Sequence, residues 1–216
     1  MIPLHLKDQE YFDSYPAPIM RMLQEKHFTN CNSTIAFFSP MFYFLLRALK
    51  CEKVLELGMA EGYSSFYLAS AIKDNAIRNN YKNAMFYGID ICQTEKTKAN
   101  LDKAELPNTI INLDTINLTN ETFKDIQFDL IFQDACHAKI NVLNELAILY
   151  PQLKGNGLGY WIAHDVLGPA SEGFQEIKRL IDNKVYDFQY TILDDGIYGL
   201  AILRKMEDYV ERKYPS

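Results

Sequence analysis

Val54-Leu55-Glu56-Leu57-Gly58-Met59-Ala60-Glu61-Gly62-Tyr63-Ser64-Ser65 is the stretch on which the reading of the chain turns. Val-Leu-Glu-Leu has the length of a buried strand, and the helix it leads into continues through Phe66-Tyr67-Leu68-Ala69. Between them, Gly58 and Gly62 stand where a backbone must turn sharply or lie close to a ligand. A helix N-terminus leaving such a turn presents amide donors and the positive end of its dipole to an anion. The spacing Gly58-x-x-x-Gly62, with Ala60 between, lacks the middle glycine of a dinucleotide turn. A pyrophosphate is therefore disfavoured, and a smaller anion such as an amino-acid carboxylate is favoured.

Outward from this turn, strand-like and helix-like segments alternate. Ala84 to Asp90 reads as a strand ending in an acid, Thr94 to Ala104 as a charged helix, and Thr109 to Leu113 as a short strand. Asn120 to Lys124 reads as a loop or helical turn. Phe128 to Asp134 is an apolar strand that again ends in an acid, and a helix from Ile140 to Tyr150 stops at Pro151. Gly155-Asn156-Gly157 makes a turn before the strand Gly159 to Ala163, which runs into His164-Asp165. The pattern predicts an open parallel sheet with helices on both faces. At the end, Gln189 to Leu193 and Ile197 to Arg204 flank the turn Asp194-Asp195-Gly196 and read as an antiparallel hairpin. That adds one reversed strand to a seven-stranded sheet. Ahead of the turn, Pro18 starts one expected helix. Ser39-Pro40 is expected to cap a second, running to Leu49 and covering a sheet edge.

In a parallel sheet, ligands bind beyond the carboxyl ends of the strands. That rule gathers Gly58 to Ser64, Asp90, Asp134 with His137, and His164-Asp165. Asp90, at the end of the next strand, suits the two hydroxyls of a ribose and equally suits a helix cap. Two of the four histidines stand beside acids at strand ends. Adenosine carrying an amino acid and no phosphate is S-adenosylmethionine.

At these residues the chain resembles class I S-adenosylmethionine-dependent methyltransferases. It is most similar to the small O-methyltransferases of the catechol and caffeoyl-coenzyme A type, whose pattern VLE-aliphatic-G-x-x-x-G-Y-S is matched by Val54 to Ser64. Phe128 to Asp134 and Leu153-Lys154-Gly155-Asn156-Gly157-Leu158 resemble later motifs, with Asn156 where LKPGG has its first glycine. The resemblance implies a Rossmann-like, doubly wound, seven-stranded mixed sheet. It implies that Glu56, Gly58, Gly62, Ser64, Asp90 and Asp134 surround the cofactor: Ser64 on its carboxylate, Glu56 near its amino group, Asp90 on the ribose. It places a divalent metal (Mg or similar) on Asp134, His164 and Asp165, although the imidazole of His164 favours softer ions such as zinc, iron or nickel. A related sugar and macrolide O-methyltransferase group carries Asp-x-x-His and His-Asp, as seen in Asp134-Ala135-Cys136-His137 and His164-Asp165. His137 holds the offset at which catechol-type enzymes place a lysine base.

The implied division is a helical cover over 1–50, a methyltransferase core over 51–205 and a charged tail over 206–216. The net charge of −6 argues against a nucleic-acid surface without excluding a local basic patch. The four cysteines lack CxxC spacing, and no run reaches membrane-spanning length. These point to a cytoplasmic protein without a membrane partner. The expected partner is a small hydroxylated acceptor. Tyr11, Phe12, Tyr15, Phe37, Phe38 and Phe42 are read as a cover for it or as core and homodimer packing. A non-catalytic binding protein on the same fold and a small-molecule N-methyltransferase remain as rival readings.

Overall fold

The computed structural model describes residues 35–92, 94–194 and 198–206. The expected Pro18 helix and the aromatic residues Tyr11, Phe12 and Tyr15 lie outside them. The elements run α1 (Ile35–Leu49), β1 (Lys53–Leu57), α2 (Tyr63–Asn79), β2 (Met85–Asp90), α3 (Thr94–Lys103), β3 (Asn108–Asn112), β4 (Leu130–Gln133), α4 (Lys139–Leu149), β5 (Gly159–His164), α5 (Glu172–Asp182), β6 (Phe188–Leu193) and β7 (Leu200–Lys205).

The seven strands form one sheet in the order β3-β2-β1-β4-β5-β7-β6. β1 pairs in parallel with β2 and β4, and β7 is antiparallel to both β5 and β6. The order reverses at β1, so the crevice beyond the carboxyl ends of β1 and β4 is the switch point where open α/β sheets take ligands.

Alternation along the strands splits the core in two. Val54, Phe86, Leu130, Phe132 and Ile162 face α1, α2 and α3, whereas Leu55, Ile89, Ile131, Trp161 and Ala163 face α4 and α5. Central strands are buried on both faces, which is why β1 and β4 read as continuous apolar runs; β3, at the edge, is half-exposed.

α1 begins five residues earlier than Ser39-Pro40 suggests, and Pro40 lies inside it. A proline this near the N-terminus removes a single i→i−4 hydrogen bond. Packing compensates: Phe42 and Leu46 are fully buried, the Phe42 ring lies 4.8 Å from that of Phe132, and Arg47 Nη1 donates to Asn75 Oδ1 of α2 at 3.0 Å. This helix is therefore part of the core. α5, unassigned from sequence, buries Phe174 and Ile177 against the opposite face.

Both glycines of the turn have φ +84°. A Cβ at Gly58 would run into the backbone carbonyl of Asp134, while one at Gly62 would meet the Thr97 side chain at 2.7 Å. The protein itself, through backbone conformation and packing, thus demands these glycines. Gly58→Ala is expected to destabilise the fold by about 2–5 kcal/mol, since left-handed strain and overpacking against fixed backbone act together. Gly62→Ala meets a side chain that can rotate and is expected to cost less. Urea denaturation of the two variants measures the difference.

Candidate active site

Asp90 braces the turn. Its Oδ2 accepts from the amides of Met59 (2.7 Å) and Ala60 (2.8 Å), and its Oδ1 from the amide of Cys92 (2.8 Å). A carboxylate offers about four acceptor sites, and the exposed Cys92 thiol bonds to Asp90 as well, so the described residues fill about all of them. Thr97 Oγ1 adds a bond to Ala60 O at 3.2 Å from the α3 side. The Gly58 amide is spent on Ile89 O and the Gly62 amide on Met59 O. The amides of Ser64 and Ser65, in the first turn of α2, take no backbone partner among the described residues. These two donors, at the positive end of a 17-residue helix, are what the turn offers an anion.

Glu56 is fully buried beneath them, accepting from the Ser64 hydroxyl through Oε1 and from the Ser65 hydroxyl through Oε2 at 2.5 Å. Ser64 thus turns its hydroxyl to Glu56 and leaves its amide without a backbone partner among the described residues. Burial pushes the Glu56 carboxyl up to about 8, opposed by the two serine hydroxyls and reinforced by Asp134 and Asp90. The unfolded chain releases this proton near pH 4–5, so the folded protein holds the extra proton between there and pH 8. The stabilisation is complete below the unfolded value and is lost as pH rises through 8, with a slope of at most about 1.4 kcal/mol per pH unit. Glu56→Gln is expected to flatten that slope, read as urea midpoints at pH 5.5 and 7.5.

Beyond β4 and β5, four side chains meet. His164 Nδ1 lies 3.0 Å from Asp134 Oδ1 and 3.0 Å from Asp165 Oδ1, and His137 Nε2 lies 3.0 Å from Asp165 Oδ2 and 3.9 Å from Asp134 Oδ1. Acid and imidazole alternate around this ring. His164 is buried, and the other three are about one-fifth exposed, so the ring is reached from the side away from His164. Asp165 has φ +55°, a left-handed kink that turns the chain straight after β5. The Asp134 amide is tied to Leu57 O at 2.8 Å, which fixes the ring against the glycine turn. Burial raises the Asp134 carboxyl above its usual range, with His164 and His137 pulling it back. Phe38 of α1 stands edge-on to the His164 ring at 6.2 Å.

The structure brings Asp134, His137, His164 and Asp165 into contact and joins Asp90 to the turn. Glu56 and Ser64 contact each other beneath it. Sequence reasoning did not single out Gln133, Thr115 or Glu145. Gln133 Nε2 is buried without a hydrogen-bond partner among the described residues, while Thr115 and Glu145 are buried beside each other, and burial pushes the Glu145 carboxyl up to about 7, opposed by the Thr115 hydroxyl. The signal for Gln133 was present, as the one polar side chain closing the apolar run Leu-Ile-Phe-Gln.

Comparison with known proteins follows from this geometry. The profile of a methyltransferase domain family matches residues 55–166, just over half of the chain, from β1 past the His164-Asp165 pair. The chain belongs to this methyltransferase family. The resemblance carried by the glycine turn is borne out at that level. Solved structures agree on the fold. A Staphylococcus aureus protein assigned as a caffeoyl-CoA O-methyltransferase is 20% identical, covering 91% of this chain and 94% of its own, with a TM-score of 0.65. An O-methyltransferase from Bacillus cereus, in complex with S-adenosylhomocysteine, is 17% identical over 91% and 96% of the two chains (TM-score 0.62). TomG from Streptomyces achromogenes, an O-methyltransferase of tomaymycin synthesis in complex with S-adenosylmethionine, is 16% identical over 91% and 95% (TM-score 0.65). Curated protein sequences give no match. In this methyltransferase, Asn156 at the LKPGG position has φ +56°, which asparagine tolerates better than most residues, so the departure from glycine preserves the turn. No described helix is long and apolar enough to cross a membrane.

Proposed function

We propose that the protein transfers a methyl group from S-adenosylmethionine to a hydroxyl of a small molecule, with His137 as base and a divalent cation on Asp134, His164 and Asp165. The observation that carries this reading is the ring of two acids and two imidazoles beside a glycine turn with free helix amides. The cofactor fits the turn. The Ser64 and Ser65 amides suit its carboxylate, and a ribose hydroxyl can take the place of the exposed Cys92 thiol on Asp90. The unpartnered Gln133 amide nitrogen, one residue before Asp134, adds a buried donor to the same crevice. S-adenosylmethionine supplies an already electrophilic methyl group. The protein's share is to hold the acceptor in line and remove its proton.

A cation also fits, because one atom each from Asp134, His164 and Asp165 lie within 4.8 Å of one another and offer two oxygens and one nitrogen. Such a set suits divalent ions from magnesium and manganese to iron and zinc. A bound cation would acidify the acceptor hydroxyl. His137 takes the proton. Its Nε2 contact with Asp165 Oδ2 places the ring hydrogen on Nε2 and leaves Nδ1 to accept. Asp165 then serves twice, orienting the base through one oxygen and facing His164 through the other.

The direct test is turnover on a panel of hydroxylated acceptors after dialysis against a chelator. The expected result is loss of activity, restored by magnesium or manganese; full turnover in chelator removes the cation from the reading. Calorimetry with the cofactor separates the enzyme from a partner-binding protein that only keeps the fold, and a panel of amines tests N-methylation.

A further inference from the structure

At the opposite ends of the strands, Arg47, Lys50 and Arg78 line a pocket of about 170 Å³ together with Asn75 and Asn79. α1 ends where β1 begins and α2 ends where β2 begins, so this pocket lies at the amino ends of the strands. The 17 residues of α2 separate it from the glycine turn by about 25 Å. In a chain of net charge −6, three cations converge here, and none forms an ion pair with a carboxylate among the described residues. Asp74, one turn before Arg78, accepts from the Tyr43 hydroxyl at 2.5 Å.

The floor of the pocket is built. Asn75 is 1% exposed, and its Nδ2 donates to Leu46 O (2.9 Å) and Cys51 O (2.8 Å). Its Oδ1 receives Arg47 Nη1 at 3.0 Å, so one guanidinium is held in place while its remaining donors stay available. A cation in the last turn of a helix is favoured by the dipole, which accounts for Arg47 and Arg78 one at a time. It does not account for both, with Lys50, lining one hollow, where like charges repel.

We propose that this pocket is a binding site for a phosphate group, free or carried by a small phosphomonoester. Two planar guanidinium forks match phosphate oxygens, and the Lys50 ammonium adds a point charge. A phosphate dianion also neutralises more of this charge than a carboxylate does. The site is remote from the methyl-transfer crevice, so its occupancy is read by binding alone and does not depend on what the crevice does.

Inorganic phosphate, titrated against sodium chloride at matched ionic strength, tests the proposal by thermal denaturation and by phosphorus NMR line broadening. Ligand binding to the native state raises Tm in a saturable way. The expected result is such a rise in the wild type, at least about tenfold weaker binding in Arg78→Gln and Arg47→Gln, and no comparable effect of acetate. Arg78 is exposed, so its variant keeps the test decisive should Arg47→Gln, which loses the Asn75 contact, fail to fold. Glycerol phosphate binding more tightly than inorganic phosphate would identify the carried group as the ligand, and the reverse order the free ion. Phosphate acting no more strongly than chloride, acetate matching it, or variants responding like the wild type would overturn the assignment.

Discussion

His137→Ala is expected to lower kcat by about 10²–10⁴-fold, the usual contribution of a positioned base, while leaving the cofactor dissociation constant nearly unchanged. The argument is geometric. His137 is the imidazole of the four-residue ring that is partly exposed, with Nε2 engaged by Asp165, whereas His164 is buried. Its structural contribution is carried by the backbone: the His137 carbonyl accepts from the Gly173 amide at 3.2 Å, a bond that alanine keeps. Truncation should therefore remove the proton acceptor and spare the packing of α4 against α5. Unchanged turnover in His137→Ala would assign the proton to another acceptor.

Asp90→Ala is expected to act on the other half of the reaction, weakening cofactor binding by roughly 10²-fold or more. Three amides of the chain converge on this carboxylate, and hydrogen bonds to a charged group are each worth about 1.5–3 kcal/mol. Without it the Met59 and Ala60 amides lose their acceptor and the turn loses the shape that aims α2 at the ligand. Asp90→Asn should fall between, because its one carbonyl oxygen can replace either Oδ2 or Oδ1 but not both. The readout is calorimetry with S-adenosylhomocysteine, alongside a denaturation curve that separates loss of fold from loss of site. An Asp90→Ala protein that binds as the wild type does would show that the brace is dispensable.

Much of this architecture is legible in the chain because local signals and the global fold agree. The apolar runs at 54–57 and 130–133 are central strands buried on both faces, and the acids that close β2 and β4, Asp90 and Asp134, lie at the ligand edge. The closing hairpin is likewise visible, and with it the reversal of β7. Ser39-Pro40 misleads because Pro40 lies inside the helix, where the burial of Phe42 and Leu46 offsets the hydrogen bond that proline removes. α5 carries a readable signal, Phe174, Ile177, Leu180 and Ile181 at helical spacing, obscured by the glycines at 168 and 173.

The site is less legible than the fold. Spacing gathers Asp134, His137, His164 and Asp165 at one edge, but the alternation of acid and imidazole depends on the kink at Asp165 and on side-chain directions. The pairing of Glu56 with both serines is equally hidden, since a glutamate inside an apolar strand does not announce its partner. The glycines read as places where the backbone turns sharply or lies close to a ligand. Their necessity comes from the Asp134 carbonyl and from Thr97, and the amides of Ser64 and Ser65 beyond them are left without a backbone partner among the described residues.

The central claim is that the turn, with Asp90 and the first amides of α2, holds S-adenosylmethionine. Calorimetric titration of the full chain with S-adenosylmethionine tests it most directly. Saturable one-to-one binding, sharply weakened in Asp90→Ala, is the expected result. No heat of binding to a folded wild-type protein at millimolar cofactor would contradict it.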